Sequence, residues 1–146
     1  MDEFQRVRKT YPSHIAYSSG EKLQKWIPPP ENVFKVNVDA AINAKDHTTG
    51  VGVVIRGTNG KVIAAGINQS SLKGTVNNAE AEAMLWGIQV AREANLASLI
   101  IESDCLEVVQ LVNNTKDSIT NFFWTILEIQ NQLKDFNKVA VHHTPR

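Results

Sequence analysis

The chain predicts an α/β fold: a five-stranded mixed sheet in the order 3-2-1-4-5, first three strands antiparallel, flanked by helices. Three observations carry this. Three strand-like runs separated by turn residues precede the first amphipathic helix, as expected for a meander that leads into a crossover. The run after that helix, residues 97–103, reads as apolar on both faces and so as a strand in the middle of the sheet. Three acids, Asp39, Glu80 and Asp104, stand at the edges of hydrophobic elements, where an anion is costly without a partner.

Residues 1–25 show no period and read as an N-terminal tail or linker. Pro28, Pro29 and Pro30 then force an extended segment, because each ring fixes φ. Trp26 is expected to pack that segment onto the domain, which starts near residue 26. Val33 to Ala41 forms the first strand, and a polar loop from Asn43 to Thr49 follows. The second strand is Val51 to Arg56 and the third Lys61 to Asn68. Asn59-Gly60 between them predicts a two-residue hairpin turn with positive φ at both positions.

A helix is expected from about Asn78 to Ala94, the fourth strand at 97–103, and a short helix from Leu106 to Asn113. A longer helix spans Ile119 to Phe136, with Phe122, Ile126, Ile129 and Leu133 at helical spacing. Lys138 to His142 is the fifth strand. With the fourth strand beside the first, Asp39 and Asp104 come from neighbouring parallel strands. The crossover helix, right-handed by the usual rule, brings Glu80 over the same spot.

Glu80 rather than Glu82 is the inward acid of that helix. Positions 80, 83, 84, 87, 88 and 91 share one face, and apart from Glu80 they are small or apolar. Glu82 lies about 200° round the helix, on a more mixed face. Each acid also has a plainer reading. Asn77 and Glu80 match a capping box and Asp104 and Glu107 match another; Asp39 also reads as the start of the polar loop, but Asp is depleted in strands and this plainer reading is the weaker one. Together, three carboxylates on converging elements point to a divalent cation.

The 146 residues fit one domain, and a 42% hydrophobic content is enough for a core. No apolar run approaches the ~20 residues of a membrane span. The N-terminus lacks a signal-peptide stretch, and the lone Cys105 excludes an internal disulfide and a cysteine-based zinc site. The expected setting is intracellular, nuclear or cytoplasmic. Cys105 reads as a buried structural thiol rather than a redox switch. Fifteen basic residues balance fifteen acidic ones. Residues 1–25 carry five of the basic and three of the acidic, leaving the remainder at −2. That is a weak footprint for tight nucleic-acid binding. Trp86 and Trp124 lie in helical patterns and read as packing residues.

Several motifs, in order, resemble the plant ribonuclease H-like domains related to retroelement reverse transcriptases. They are Trp26-Ile27-Pro28-Pro29-Pro30, Lys35-Val36-Asn37-Val38-Asp39-Ala40-Ala41 and Gly50-Val51-Gly52-Val53-Val54-Ile55-Arg56, then Ala79-Glu80-Ala81-Glu82-Ala83 with Gly87 beyond it, and Glu102-Ser103-Asp104. The resemblance covers about residues 26–146. The ordered set is specific; no single piece is. An exonuclease of the same fold is disfavoured, because its first strand would carry Asp-x-Glu where this chain has Asp39-Ala40-Ala41.

The resemblance implies a ribonuclease H-like fold and endonucleolytic hydrolysis of the RNA strand of RNA–DNA hybrids. Two Mg²⁺ ions about 4 Å apart, with Mn²⁺ as a substitute, would clamp the scissile phosphate. Asp39, Glu80 and Asp104 are the implied metal ligands, and His143 the implied catalytic histidine that assists turnover. His142 and His143 also read as an exposed strand end. Asn77 is either a contact to the nucleic-acid backbone or only the helix N-cap. His143-Thr144-Pro145-Arg146 matches the family segment that leads into a last helix bearing a fourth acid, so 26–146 is expected to lack that helix. The alternative is a non-catalytic nucleic-acid-binding or interaction module that keeps the fold.

Overall fold

The computed structural model describes residues 26–71, 74–115 and 120–145. The predicted tail, residues 1–25, and Arg146 lie outside the described residues. Alternation of β-branched and polar residues sets three strands in sequence: β1 (Phe34–Asn43), β2 (Thr48–Arg56) and β3 (Val62–Ser71). Helix α1 (Val76–Glu93) crosses to β4 (Ser98–Ser103). Two helices, α2 (Leu106–Val112) and α3 (Phe123–Leu133), lead to β5 (Lys138–His143). The sheet order is β3-β2-β1-β4-β5. β1 pairs antiparallel with β2, and β2 with β3; β1–β4 and β4–β5 are parallel.

β1 is longer than expected. It stays paired with β2 from Lys35↔Arg56 to Asn43↔Thr48, which shortens the polar loop to a tight connection and starts β2 at Thr48 rather than Val51. Asp39 is therefore a mid-strand residue of β1, opposite Gly52, and not the start of the polar loop. The β2–β3 hairpin lies where Asn59-Gly60 placed it, but the turn differs. Gly60 N–H donates to Gly57 O at 2.9 Å, Gly60 alone has positive φ (79°), and the register shifts at Ile55/Arg56. This is a three-residue loop ending in a left-handed glycine, the next commonest hairpin solution. The Asn59 side chain accepts from Lys61 N–H at 2.9 Å instead of flipping its backbone.

The core lies on one face of the sheet. Val36, Val38 and Ala40 of β1, and Val51, Val53 and Ile55 of β2, meet Ala83, Met84, Ile88 and Ala91 of α1. Gly87 makes this approach close: a Cβ there would stand 2.5 Å from Val38 Cγ1. α3 packs on α1 through Phe122, Ile126 and Ile129. Helix α1 ends with Asn95 at φ 61° and Leu96 N–H bonded to Ala91 O, and α2 with Asn114 at φ 60° and Thr115 N–H bonded to Gln110 O. Both are left-handed caps with asparagine in glycine's place. At the rim, Val62, Ile63 and Ile67 of the outer strand β3 are exposed. Trp86 is half-buried with its ring over Gly66, whereas Trp124 is 77% exposed and meets only the edge of Phe123 among the rings. Trp124 is thus a surface residue, not a packing one.

The Trp26–Pro30 segment lies against the start of β1. Lys35 and Arg56 stand over the Trp26 ring at 5.3 and 5.9 Å. Lys35 Nζ donates to Ile27 O at 2.6 Å and pairs with Glu102 Oε2 at 3.0 Å. Glu102 also accepts from Asn37 Nδ2 at 2.8 Å. Both members of the pair are buried, so β4 is not apolar on both faces, as the sequence suggested. Among the described residues, no helix is long and apolar enough to cross a membrane.

Candidate metal centre

Two parallel strands part at the centre of the molecule. β1 and β4 stay paired from Phe34↔Leu99 to Asn37↔Glu102, and there the ladder ends. Two residues further along each chain come Asp39 and Asp104. β1 continues along β2, while the chain of β4 bends at Asp104 into α2. A crevice beyond the carboxyl ends of parallel strands, where the order switches sides, is where α/β sheets place their ligands.

Glu80 arrives from above. Thr75 starts α1 with extended backbone (φ −95°, ψ 174°), and its hydroxyl accepts from Asn78 N–H at 3.2 Å. Thr75 is therefore the N-cap, and Asn77 lies within the first turn. The capping box read from Asn77 and Glu80 is not formed, because the helix begins two residues earlier than expected. Glu80 opens the second turn on the buried face, and the tight seat of Gly87 two turns later lowers that face onto β1. Glu82 is exposed, with its carboxylate accepting from Thr125 Oγ1 at 3.1 Å.

Asp39, Glu80 and Asp104 each bring one carboxylate oxygen within 4.8 Å of the other two. Asp39 is 3% and Glu80 6% exposed, and Asp104 is half-buried, so the cluster opens on the Asp104 side. Like charges about 5 Å apart repel by roughly 3 kcal/mol per pair at an effective dielectric near 20. All three donors are hard oxygens, and one side is open to water. That set fits Mg²⁺, which takes one to three carboxylates and keeps several waters, and it suits soft metals poorly.

The surrounding residues divide into near and far. Asn77 lies one turn before Glu80 and donates through Nδ2 to Glu107 Oε1. Its Oδ1 lies 3.3 Å from Cys105 Sγ. Cys105, half-buried, and not Asp104 occupies the N-cap position of α2, so the second expected capping box, Asp104 with Glu107, is not formed either. Cys105 N–H donates instead to Ser103 Oγ at 3.1 Å. Burial pushes the Cys105 thiol up. The charges of Glu80, Asp104 and Glu107 add to that, and a hydrogen bond with the Val108 backbone opposes it. His143 ends β5 level with Ser103, is exposed, and is not among the three clustered ligands.

Sequence reasoning missed the Lys35–Glu102 pair and the Asn77–Cys105–Glu107 contacts. The first had a signal, since a lysine and a glutamate interrupt two otherwise apolar strands. The second had none, because residues 28 and 30 positions apart meet only through the fold.

The family profile described as "Reverse transcriptase-like" matches residues 37–146. No curated protein sequence matches the chain. Among solved structures, RNase H1 from the halophilic archaeon Halobacterium salinarum NRC-1 superposes with a TM-score of 0.73 at 19% identity, over 78% of this chain and 86% of that one. The N-terminal RNase H domain of a Mycobacterium tuberculosis protein gives 0.70 at 16% identity, over 78% and 83%. LC11-RNase H1, solved in complex with an RNA/DNA hybrid, gives 0.68 at 17% identity, over 77% and 86%. At these identities the likeness is one of fold.

Proposed function

Because the chain belongs to the reverse transcriptase-like family, we propose that it hydrolyses the RNA strand of RNA–DNA hybrids endonucleolytically. The observation that carries this is the meeting of three carboxylates from three separate elements, within 4.8 Å, at the open end of a ribonuclease H-like sheet. Asp39, Glu80 and Asp104 hold divalent cations, Mg²⁺ or Mn²⁺. A cation held there would supply activation of water and neutralisation of charge on the phosphate. Asp39, the most buried of the three, anchors the cluster, and Asp104 faces the side from which substrate arrives. Asn77 contacts the nucleic-acid backbone through the amide N–H that Glu107 does not use. His143, exposed at the end of β5, assists turnover from the rim. The RNA strand is told from DNA by its 2′-hydroxyl, and the products carry 5′-phosphate and 3′-hydroxyl ends.

Cleavage of a labelled hybrid in Mg²⁺ and in Mn²⁺, with Asp39→Asn as control, tests this reading. The expected result is metal-dependent cutting of the RNA strand that Asp39→Asn abolishes. The second reading is a non-catalytic nucleic-acid-binding module that keeps the three-acid cluster. Hybrid binding by a folded protein, without cleavage in either metal, would establish it.

A further inference from the structure

Glu80 and Asp104 reach the cluster from elements that share no hydrogen-bonded ladder. Asp104 lies in a bend after β4, and Glu80 is a long side chain on a helix. Their mutual repulsion favours moving the bend away from the helix. The residues beside them meet. Asn77, three positions before Glu80, touches both Cys105, the residue after Asp104, and Glu107 in the first turn of α2. The chemistry fixes the sense of these bonds. A carboxylate only accepts, so the Asn77 amide nitrogen faces Glu107 and its oxygen faces Cys105. Cys105 is then the donor, through its thiol hydrogen.

We propose that Cys105 is a positioning residue: together with Glu107 it holds Asn77, latching the first turn of α1 to the first turn of α2, and so keeps Glu80 and Asp104 at metal-binding separation. The inference rests on the metal-centre reading above. Without the latch, the incoming cation must itself gather the two acids, and its affinity falls by the population of the gathered state.

The test is Mg²⁺ binding to the full chain by isothermal titration calorimetry, with hybrid KM measured at saturating Mg²⁺. Cys105→Ala is expected to weaken Mg²⁺ binding about tenfold, the lower end of the effect of removing an outer-shell partner, and to leave hybrid KM unchanged. Cys105→Ser, whose hydroxyl also donates, is expected to restore near-native affinity. If Cys105→Ala does not fold, as judged by circular dichroism, Asn77→Asp breaks the same latch by setting a carboxylate against Glu107, and it should weaken Mg²⁺ binding equally. Equal affinities for alanine, serine and wild type, an equal loss in alanine and serine, or native affinity in folded Asn77→Asp overturns the latch while leaving the metal centre standing. If wild type gives no Mg²⁺ heat that Asp39→Asn removes, the metal-centre reading itself fails, and the latch with it.

Discussion

Single side chains set the sharpest expectations. In a metal-free protein the three clustered acids repel, so neutralising the most exposed of them should help stability. Asp104→Asn is expected to raise the unfolding temperature in EDTA by about 3 °C, corresponding to ~1 kcal/mol after allowance for solvent screening at this half-buried site. It should also remove the stabilisation that Mg²⁺ gives wild type, about 2.7 kcal/mol when the ion is at one hundred times its Kd. Thermal melts of both proteins with and without Mg²⁺ check this, and an unchanged or lowered EDTA midpoint would refute it. Lys35 offers the opposite case. Lys35→Met leaves Glu102 buried without its cation and should cost ~3–5 kcal/mol in urea unfolding. Adding Glu102→Leu should recover most of that loss, because a pair of apolar groups tolerates burial better than one stranded charge.

At the scale of elements, the fit between α1 and β1 governs where Glu80 stands. Gly87→Ala favours the helix by about 1 kcal/mol in propensity. It also drives a methyl group into Val38 Cγ1, and overpacking of this kind costs ~1–3 kcal/mol. The net expectation is loss of stability, together with weaker Mg²⁺ binding as Glu80 is lifted from the other two acids. A folded Gly87→Ala variant with native Mg²⁺ affinity would show that the close packing does not place the site. Every described element was legible in the sequence as an element, because the periods of two and 3.6 are strong in Val36–Ala40, Glu80–Ala91 and Phe122–Leu133. Not all of the ends were. Thr75, not Asn77, caps α1, since both types cap well and only the folded chain chooses between them. The sequence places the stops of α1 and α2 at Ala94 and Asn113, which are their C-caps, although asparagine and not glycine follows each. β1 outlasts its apolar run because its partner β2 continues through Gly50 and Thr49, a pairing that no local signal announces.

For the molecule as a whole, the lead-in packs against the sheet. Ile27 and Pro30 carbonyls accept from Lys35 and Thr58, and Trp26 lies beneath Lys35 and Arg56. A chain starting at residue 26 should keep its melting temperature relative to one starting at residue 31, which loses these contacts. If the two melt alike, the domain boundary proposed near residue 26 is misplaced. The convergence of Asp39, Glu80 and Asp104 was readable because the sheet order followed from one buried strand. What surrounds them was not, since Cys105, Asn77 and Glu107 meet through space.

The outer strand β3 carries one more consequence. Among the described residues it pairs on one side, with β2, and Val62, Ile63 and Ile67 stand exposed along it. Such a border is a template on which a further extended chain can nucleate. Because β1 and β2 lie between it and the crevice at Asp39, growth of the sheet there would lengthen the molecule sideways without closing the mouth of the acidic cluster. Crowding would therefore cost this protein its dispersity before the opening of its acidic cluster.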